Sequence, residues 1–360
     1  MTEMPTVETM TLEVTHRCHR RCRFCYLPRP RQSRRQRPLE LTAQELVNVA
    51  HRLQKYGCKH VQLSGGEPLL RKDCVHIVEG LRKHGMKVSM LTDGGPLNVG
   101  LARALADQGL ALMQPTLLAA QADLHDSLRG AGAFHETTRA IATAAATGLR
   151  ITVSLVLTCR NWDQVQRVAE LSFALGARGL TLSRFCPAGA AAEAFAELMP
   201  SATQVRTAVE QATAACRRLG LAFSAAITIP HCVWEEDQPP PLHSLGVCGL
   251  MGNRMAVTVG PDGAVRSCSL SSQTVGSALE NSWPVLLQRL WERHFLPARK
   301  SQPTACRTCN KWERCLGGCR LSAQAMGGDF SHPDPLATMA PLNEIQGTYR
   351  ATSALSDGSM

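Results

Sequence analysis

Apolar and polar positions follow two repeats along the first two thirds of the chain. Residues 9–14 alternate with the period of two expected of a half-buried strand, and run straight into Thr15-His16-Arg17-Cys18. The first cysteine group therefore falls on the loop after strand one. A helical repeat opens at Thr42, which forms a capping-box signature with Glu45 and fades near Gly57. Residues 60–64 and 87–92 read as strands two and three, with a helix over about 72–83 between them. The alternation continues through a helix near 99–108, a strand at 111–117, a helix at 134–147, a strand at 150–157, a helix at 161–175 and a strand at 180–184. Ser201 and Gln204 predict one more capped helix, to about Leu219, and 222–229 reads as a last strand.

Strands that alternate with helices of this length imply βαβ units around a parallel sheet. The predicted fold class is α/β, a partial (β/α)6 TIM-like barrel over residues 1–237. In such barrels the chemistry sits on the loops that follow the strands, where both Cys18–Cys25 and Gly65-Gly66-Glu67-Pro68 lie. The texture then changes. A Pro-rich patch at 238–241 reads as a linker, residues 238–330 form a Cys- and Gly-rich module of shorter elements, and 331–360 are expected to be a loosely ordered tail. No internal repeat is evident.

Composition narrows the class of protein. With 44% apolar and 19% charged residues in a 360-residue chain, a sizeable core is expected. No stretch reaches the roughly 18 apolar residues of a membrane span, and the first ten residues lack a signal-peptide pattern. The expected setting is cytoplasmic, with no membrane partner. Fifteen cysteines in a reducing compartment are better used as ligands than as disulfides. The net charge of +10 is concentrated near the first of them, at Arg17, Arg20, Arg21, Arg23, Arg29, Arg31, Arg34, Arg35 and Arg37. These arginines either solvate a loop and offset a thiolate-ligated centre, or form a docking surface for an acidic substrate. Only Phe24 and Tyr26 interleave with them, too few for a nucleic-acid stacking platform.

Cys18-x3-Cys22-x2-Cys25 offers three thiolates on a short loop, one fewer than a closed four-cysteine cluster needs. One iron would stay open to an outside ligand; a zinc site or unrelated thiols are the other readings. Taken with Gly65-Gly66-Glu67-Pro68 after the second strand, this loop resembles the radical S-adenosylmethionine (radical SAM) superfamily over roughly residues 8–230. The resemblance implies a catalytic 4Fe-4S cluster on Cys18, Cys22 and Cys25 whose open iron chelates the methionine part of S-adenosyl-L-methionine. It also implies that Gly65, Gly66, Glu67 and Pro68 contact the cofactor's amino group; glycines permit close backbone approach and a carboxylate can meet an ammonium. Asp93 stands where relatives carry Asn, which weakens any role for it, and Leu118 removes a carboxylate that relatives use on ribose. Thr116, Arg129, Asn161 and Arg184 fall at family-like positions and are further candidates for cofactor binding, although Asn161 and Arg184 read equally well as structural polar residues.

The C-terminal pattern, Cys248-x14-Gly263-x4-Cys268 and then Cys306-x2-Cys309-x5-Cys315-x3-Cys319, resembles the SPASM (or twitch) extension, which holds auxiliary 4Fe-4S clusters. The resemblance assigns Cys248, Cys268 and Cys319 to one centre and Cys306, Cys309 and Cys315 to a second. Relatives place a seventh cysteine shortly after an Asp-Pro pair, whereas Asp334-Pro335-Leu336 is followed here by Ala337. Asp334 could replace it, the iron could stay open, the cluster could be labile or absent, or the group could bind zinc instead.

Cys58, Cys74, Cys159, Cys186, Cys216 and Cys232 remain, and most read as core thiols. Cys186, just after strand six, is a candidate hydrogen-atom donor at the barrel mouth, and Cys232 a weaker one. The histidines, His16 and His19 included, show no repeated ligand spacing.

By resemblance the activity is that of an oxidoreductase. It cleaves S-adenosyl-L-methionine reductively to a 5′-deoxyadenosyl radical, which takes hydrogen from substrate, most plausibly in crosslinking, thioether formation, epimerisation or oxidation of a ribosomally made peptide. A small-molecule dehydrogenase or epimerase is the alternative enzyme, and a noncatalytic iron-sulfur or zinc protein the alternative of another class. Expected partners are an external reductant such as a flavodoxin or ferredoxin and, with only about 17 residues before the first cysteine, a separate peptide-recognition protein.

Overall fold

The computed structural model describes residues 6–27, 39–234, 246, 248–252 and 254–337. Its centre is β1 (Thr6–Glu13), flanked in parallel by β2 (His60–Ser64), β3 (Lys87–Thr92) and β4 (Leu112–Pro115). A second parallel group, β5 (Thr152–Leu157), β6 (Gly179–Arg184) and β7 (Ala222–Ala225), continues the wall, because bridges Met113↔Ile151 and Thr116↔Ser154 join β4 to β5. Seven parallel strands therefore curve into an α/β partial barrel.

The outer helices are α1 (Ala43–Gln54), α2 (Cys74–Lys83), α3 (Val99–Asp107), α4 (Ala122–Arg129), α5 (Ala133–Ala146), α6 (Val165–Ala174), the short α7 (Phe195–Leu198) and α8 (Ala202–Leu219). Both predicted capping boxes form, Thr42 with Glu45 on α1 and Ser201 with Gln204 on α8, each satisfying two otherwise orphaned backbone donors. Leu46 and Leu53 of α1, Ile77 and Leu81 of α2, and Val61 and Leu63 of β2 are fully buried, each such side chain contributing about 1.5–3 kcal/mol. Predicted and observed elements differ mainly at ends. The strand expected over 111–117 stops at Pro115, since Pro has no N–H for the ladder, and the one expected over 222–229 stops at Ala225.

The C-terminal module is grafted onto the barrel sheet. β8 (Arg254–Val259) pairs in parallel with the free edge of β1, in the register Met10↔Val257, and the hairpin partners β9 (Ala264–Arg266) and β10 (Gly276–Ser277) extend the sheet outward. Then follow α9 (Trp283–Leu290), α10 (Leu296–Lys300), α11 (Trp312–Cys315) and α12 (Arg320–Gly327).

Residues 331–337, expected in a loose tail, are instead packed: Asp334, Leu336 and Ala337 are all buried. The cause is ionic and backbone anchoring of Asp334, described below. The expected linker at 238–241, residues 338–360, and Arg29, Arg31, Arg34, Arg35 and Arg37 lie outside the described residues. No described helix is long and apolar enough to cross a membrane.

Candidate functional site

The loop after β1 carries Cys18, Cys22 and Cys25 at the C-terminal end of the barrel strands. It is seated on the loop after β2. Gly66 N–H donates to Thr15 O and Glu67 N–H to Arg17 O, both at 2.8 Å. A side chain on Gly65, where φ is +130°, would press on Thr15 O at 2.5 Å, and one on Gly66 would run into the Arg17 carbonyl and the Cys18 side chain. The two glycines, expected to admit a ligand, also admit the backbone of the cysteine loop itself.

Glu67 is also engaged by the protein. Its carboxylate is buried and accepts from Leu69 N–H at 3.0 Å, Thr92 Oγ1 at 2.6 Å and Asp93 N–H at 2.7 Å. It ties the loop after β2 to the loop after β3. Burial, and then the neighbouring Asp93 charge, push its pKa up, against the downward pull of these three donors. Pro68 opens the 3-10 turn that Glu67 caps.

Asp93 proves to be a hub, which its departure from the family pattern had hidden. Oδ1 accepts from Gly95 N–H at 2.6 Å, while Oδ2 lies 3.1 Å from His19 Nε2, 3.3 Å from Arg20 Nε and 3.9 Å from Arg129 Nη2. It thereby fixes the stretch between Cys18 and Cys22. Arg20 also pairs with Glu136, Arg23 with Glu197 and Arg17 with Glu40, so much of the described part of the arginine cluster is matched by carboxylates.

Arg129 is buried at the end of α4 and donates from Nη1 to Thr116 O at 2.7 Å. Thr116 thus contributes a carbonyl to this corner. Asn161 and Arg184 are engaged by protein groups. Asn161 accepts from Thr158 N–H and Oγ1 and donates to the Leu118 and Val156 carbonyls, which uses all four hydrogen-bonding positions of a carboxamide. Arg184 is fully buried, donating from Nε to Thr228 O at 2.9 Å and pairing with Asp334. Both join neighbouring elements, and Arg184 Nη1 is buried with no hydrogen-bond partner among the described residues.

The other side of the mouth is closed by the loop after β6. Ala190 N–H donates to Leu27 O and Ala191 N–H to Cys25 O, and Gly189 packs with φ +57° against the Tyr26 carbonyl. Tyr26 hydroxyl meets Ser64 Oγ at 2.9 Å, and burial raises its pKa.

The residues present fit a bound cluster and its nucleotide. Cys18 is exposed on this loop while Cys22 and Cys25 are half-buried, so the three thiols are open to an incoming metal centre. Arg129 Nε and His16 Nε2 are buried beside the loop without hydrogen-bond partners, ready for an anionic or polar group. Among the described residues no three His, Cys, Asp or Glu side chains converge closely enough to share one metal ion, whereas thiolates around a four-iron cluster stand farther apart.

The C-terminal thiols also face buried cations. Burial pushes Cys248 up to about 12 and Cys268 to about 11, and each is within electrostatic reach of Cys319. Arg320 is fully buried, and its Nε and Nη2 have no hydrogen-bond partner among the described residues. The groups that favour its charge are Cys248, Asp334, Cys306 and Cys319. An unmatched buried guanidinium costs several kcal/mol, so it fits a position between two anionic centres. Cys186 is buried next to Cys319 and 2.9 Å from Ser322 Oγ. It therefore lies at the junction between the loop after β6 and the C-terminal module.

Residues 12–172 match the family model for the radical SAM superfamily. The chain is 30% identical over 336 residues to the PqqA peptide cyclase of Methylocella silvestris, covering 91% of this chain and 87% of that protein. It is 27% identical to the mycofactocin maturase MftC of Mycobacterium tuberculosis, covering 91% and 81%. SuiB of Streptococcus suis, solved with S-adenosylmethionine, shares the fold with a TM-score of 0.74 at 14% identity over 93% of this chain and 78% of that one. The structure titled native anSMEcpe with AdoMet and the Kp18Cys peptide superposes with a TM-score of 0.70 at 15% identity, covering 97% and 99%. With the three-cysteine loop and glycine pair at the mouth of a partial barrel, these likenesses place the chain in the radical SAM superfamily, among its SPASM-type enzymes.

Proposed function

We infer that this enzyme acts on a ribosomally made peptide and makes an oxidative change in it, a crosslink or related bond. The observation that carries this reading is the Glu13–Arg266 pair. Glu13 ends β1 beside Cys25, and Arg266 ends β9 beside Cys268; the two side chains form a buried ion pair, with Arg266 Nη1 also donating to Ser271 O at 3.2 Å. The ion pair ties the end of the strand that precedes the N-terminal cysteine loop to the strand that precedes Cys268. That adjacency suits a reaction in which an electron leaves the substrate after hydrogen removal. Similarity to a peptide cyclase and a maturase supports a peptide over a small molecule.

When bound, the reduced cluster and S-adenosyl-L-methionine supply the 5′-deoxyadenosyl radical. The chain's own part is positioning. Cys18, Cys22 and Cys25 hold the cluster; Gly65 and Gly66 seat their loop; Glu67 and Asp93 brace it from the next two strands; and Arg129 offers Nε toward the cofactor side. The loop at 188–191 covers Cys25–Leu27 and keeps water from that flank. We place the enzyme in the cytoplasm, where thiols stay reduced and a flavodoxin or ferredoxin can supply electrons.

The test is anaerobic reconstitution followed by incubation with reductant, S-adenosylmethionine and a short peptide encoded beside the gene. Release of 5′-deoxyadenosine together with an altered peptide mass is expected. Cofactor cleavage with the peptide unchanged, alongside conversion of a small-molecule substrate, would overturn the peptide assignment.

A further inference from the structure

The second C-terminal cysteine group has three members in its own segment and no cysteine at 337. The fold supplies another thiol from elsewhere. Cys232 lies on a 3-10 turn, His231–Val233, that follows the last barrel strand, far in sequence from Cys306, Cys309 and Cys315. All four cysteines line one cavity, and Ala337 lines it too. The residue in place of the expected cysteine thus faces the same space as Cys232 from another side, with a methyl group and no ligand atom.

Several contacts hold the turn there. His231 N–H donates to Cys315 Sγ at 3.3 Å, and Lys311 Nζ donates to Trp234 O at 2.9 Å. Gly318 leaves room for the Pro230 ring, which a side chain at 318 would meet at 2.8 Å. The backbone on either side of Cys232 is therefore fixed to the segment carrying the other three thiols.

Asp334, which also borders the cavity, is committed elsewhere. Its Oδ2 accepts from Arg184 and from Cys319 N–H at 2.7 Å, and its Oδ1 from Leu336 N–H at 2.9 Å. Three donors already occupy most of the carboxylate's acceptor positions.

We propose that Cys232 is the fourth thiolate of the Cys306, Cys309 and Cys315 centre, replacing from the barrel side the cysteine that Ala337 displaces. The centre is taken as a four-thiolate iron-sulfur cluster, in line with the C-terminal cysteine pattern. A fully ligated cluster has no open iron, so its role is electron transfer and not substrate binding. The assignment rests on the reading that the C-terminal module holds auxiliary clusters.

Anaerobically reconstituted full-length protein is alkylated with iodoacetamide and each cysteine is followed by mass spectrometry, before and after iron removal with a chelator. Cys232 should be shielded together with Cys306 and Cys309 and become reactive with them. Cys232→Ala should then lose about four irons per chain, and Cys232→Ala/Ala337→Cys should recover them. Labelling of Cys232 while Cys306 and Cys309 stay shielded, or full iron retention in Cys232→Ala, overturns the assignment. One zinc per chain released with all four thiols also overturns it. If Cys306 and Cys309 are themselves reactive in protein that still cleaves S-adenosylmethionine, the auxiliary-centre reading fails, and this assignment with it.

Discussion

Arg184, at the last position of β6, and Asp334, in the segment after α12, form an ion pair with both side chains fully buried. The pair joins the barrel to the end of the Cys-rich module, since Asp334 also accepts from Cys319 N–H and Arg184 also donates to Thr228 O. Removing one member leaves the other charged and unmatched in a low dielectric. Arg184→Met should therefore cost about 3–5 kcal/mol, read as a lower denaturant midpoint, while Arg184→Met/Asp334→Leu should lose less than the sum of the single changes. Additive losses would mean that the two side chains do not depend on one another.

Gly66 makes a sharper demand on space. Any β-carbon there meets the Arg17 carbonyl and the Cys18 side chain, and the obstacle is backbone that cannot swing aside. Gly66→Ala should push the cysteine loop off its seat and lower iron content by about four per chain, with 5′-deoxyadenosine formation lost. Iron bound by the C-terminal thiols should be unaffected. Undiminished iron and cofactor cleavage in Gly66→Ala would show that the loop has slack to spare.

For Glu67 the question is whether its carboxylate serves the fold or the cofactor. Its three donors, Leu69 N–H, Thr92 Oγ1 and Asp93 N–H, all come from protein. Glu67→Gln substitutes an NH2 for one acceptor oxygen and confronts at least one of these donors with another donor. A loss of about 1–3 kcal/mol in stability is expected, with affinity for S-adenosylmethionine in the remaining folded fraction changed less than threefold. Unchanged stability with a large loss of affinity would return Glu67 to direct ligand contact.

How far these features could be read in advance depended on whether they were local. The capping boxes at Thr42 and Ser201, and β2, β3 and β6 with the helices between them, are set by near neighbours and by periodicity, and they form nearly where expected. The pairing of β8 with β1 joins opposite ends of the chain, and no pattern within a short window reports it. Polar side chains were hardest to interpret. Asn161 and Arg184 stand near the strand ends where ligands are often held, but only the structure shows backbone carbonyls and Asp334 taking up their hydrogen bonds. Asp93 was underrated for the converse reason: a replacement of the usual residue looked like a loss, whereas a carboxylate there gains His19, Arg20 and Arg129.

His125 on α4 gives a pH dependence whose sign can be worked out. The ring is fully buried, with Nδ1 accepting from Leu118 N–H at 3.2 Å and the Phe134 ring edge-on at 5.8 Å. Burial first, and then the positive charge of Arg129 with a smaller part from Arg20, push its pKa down to about 3, outweighing the opposite pull of Asp126 and Asp93. In the unfolded chain the ring titrates near the ordinary value of about 6.5. Between those two values the unfolded state binds a proton that the folded state refuses, so stability rises with pH across the window. The contribution is whole above about pH 6.5 and is eroded below it, reaching a loss of about 2 kcal/mol by about pH 5. His125→Gln keeps an acceptor for Leu118 N–H but cannot titrate, so its urea midpoint should vary less between about pH 5 and about pH 7 than that of the unsubstituted protein. Parallel midpoint curves for the two proteins would mean that the buried ring accepts its proton as readily in the fold as in water.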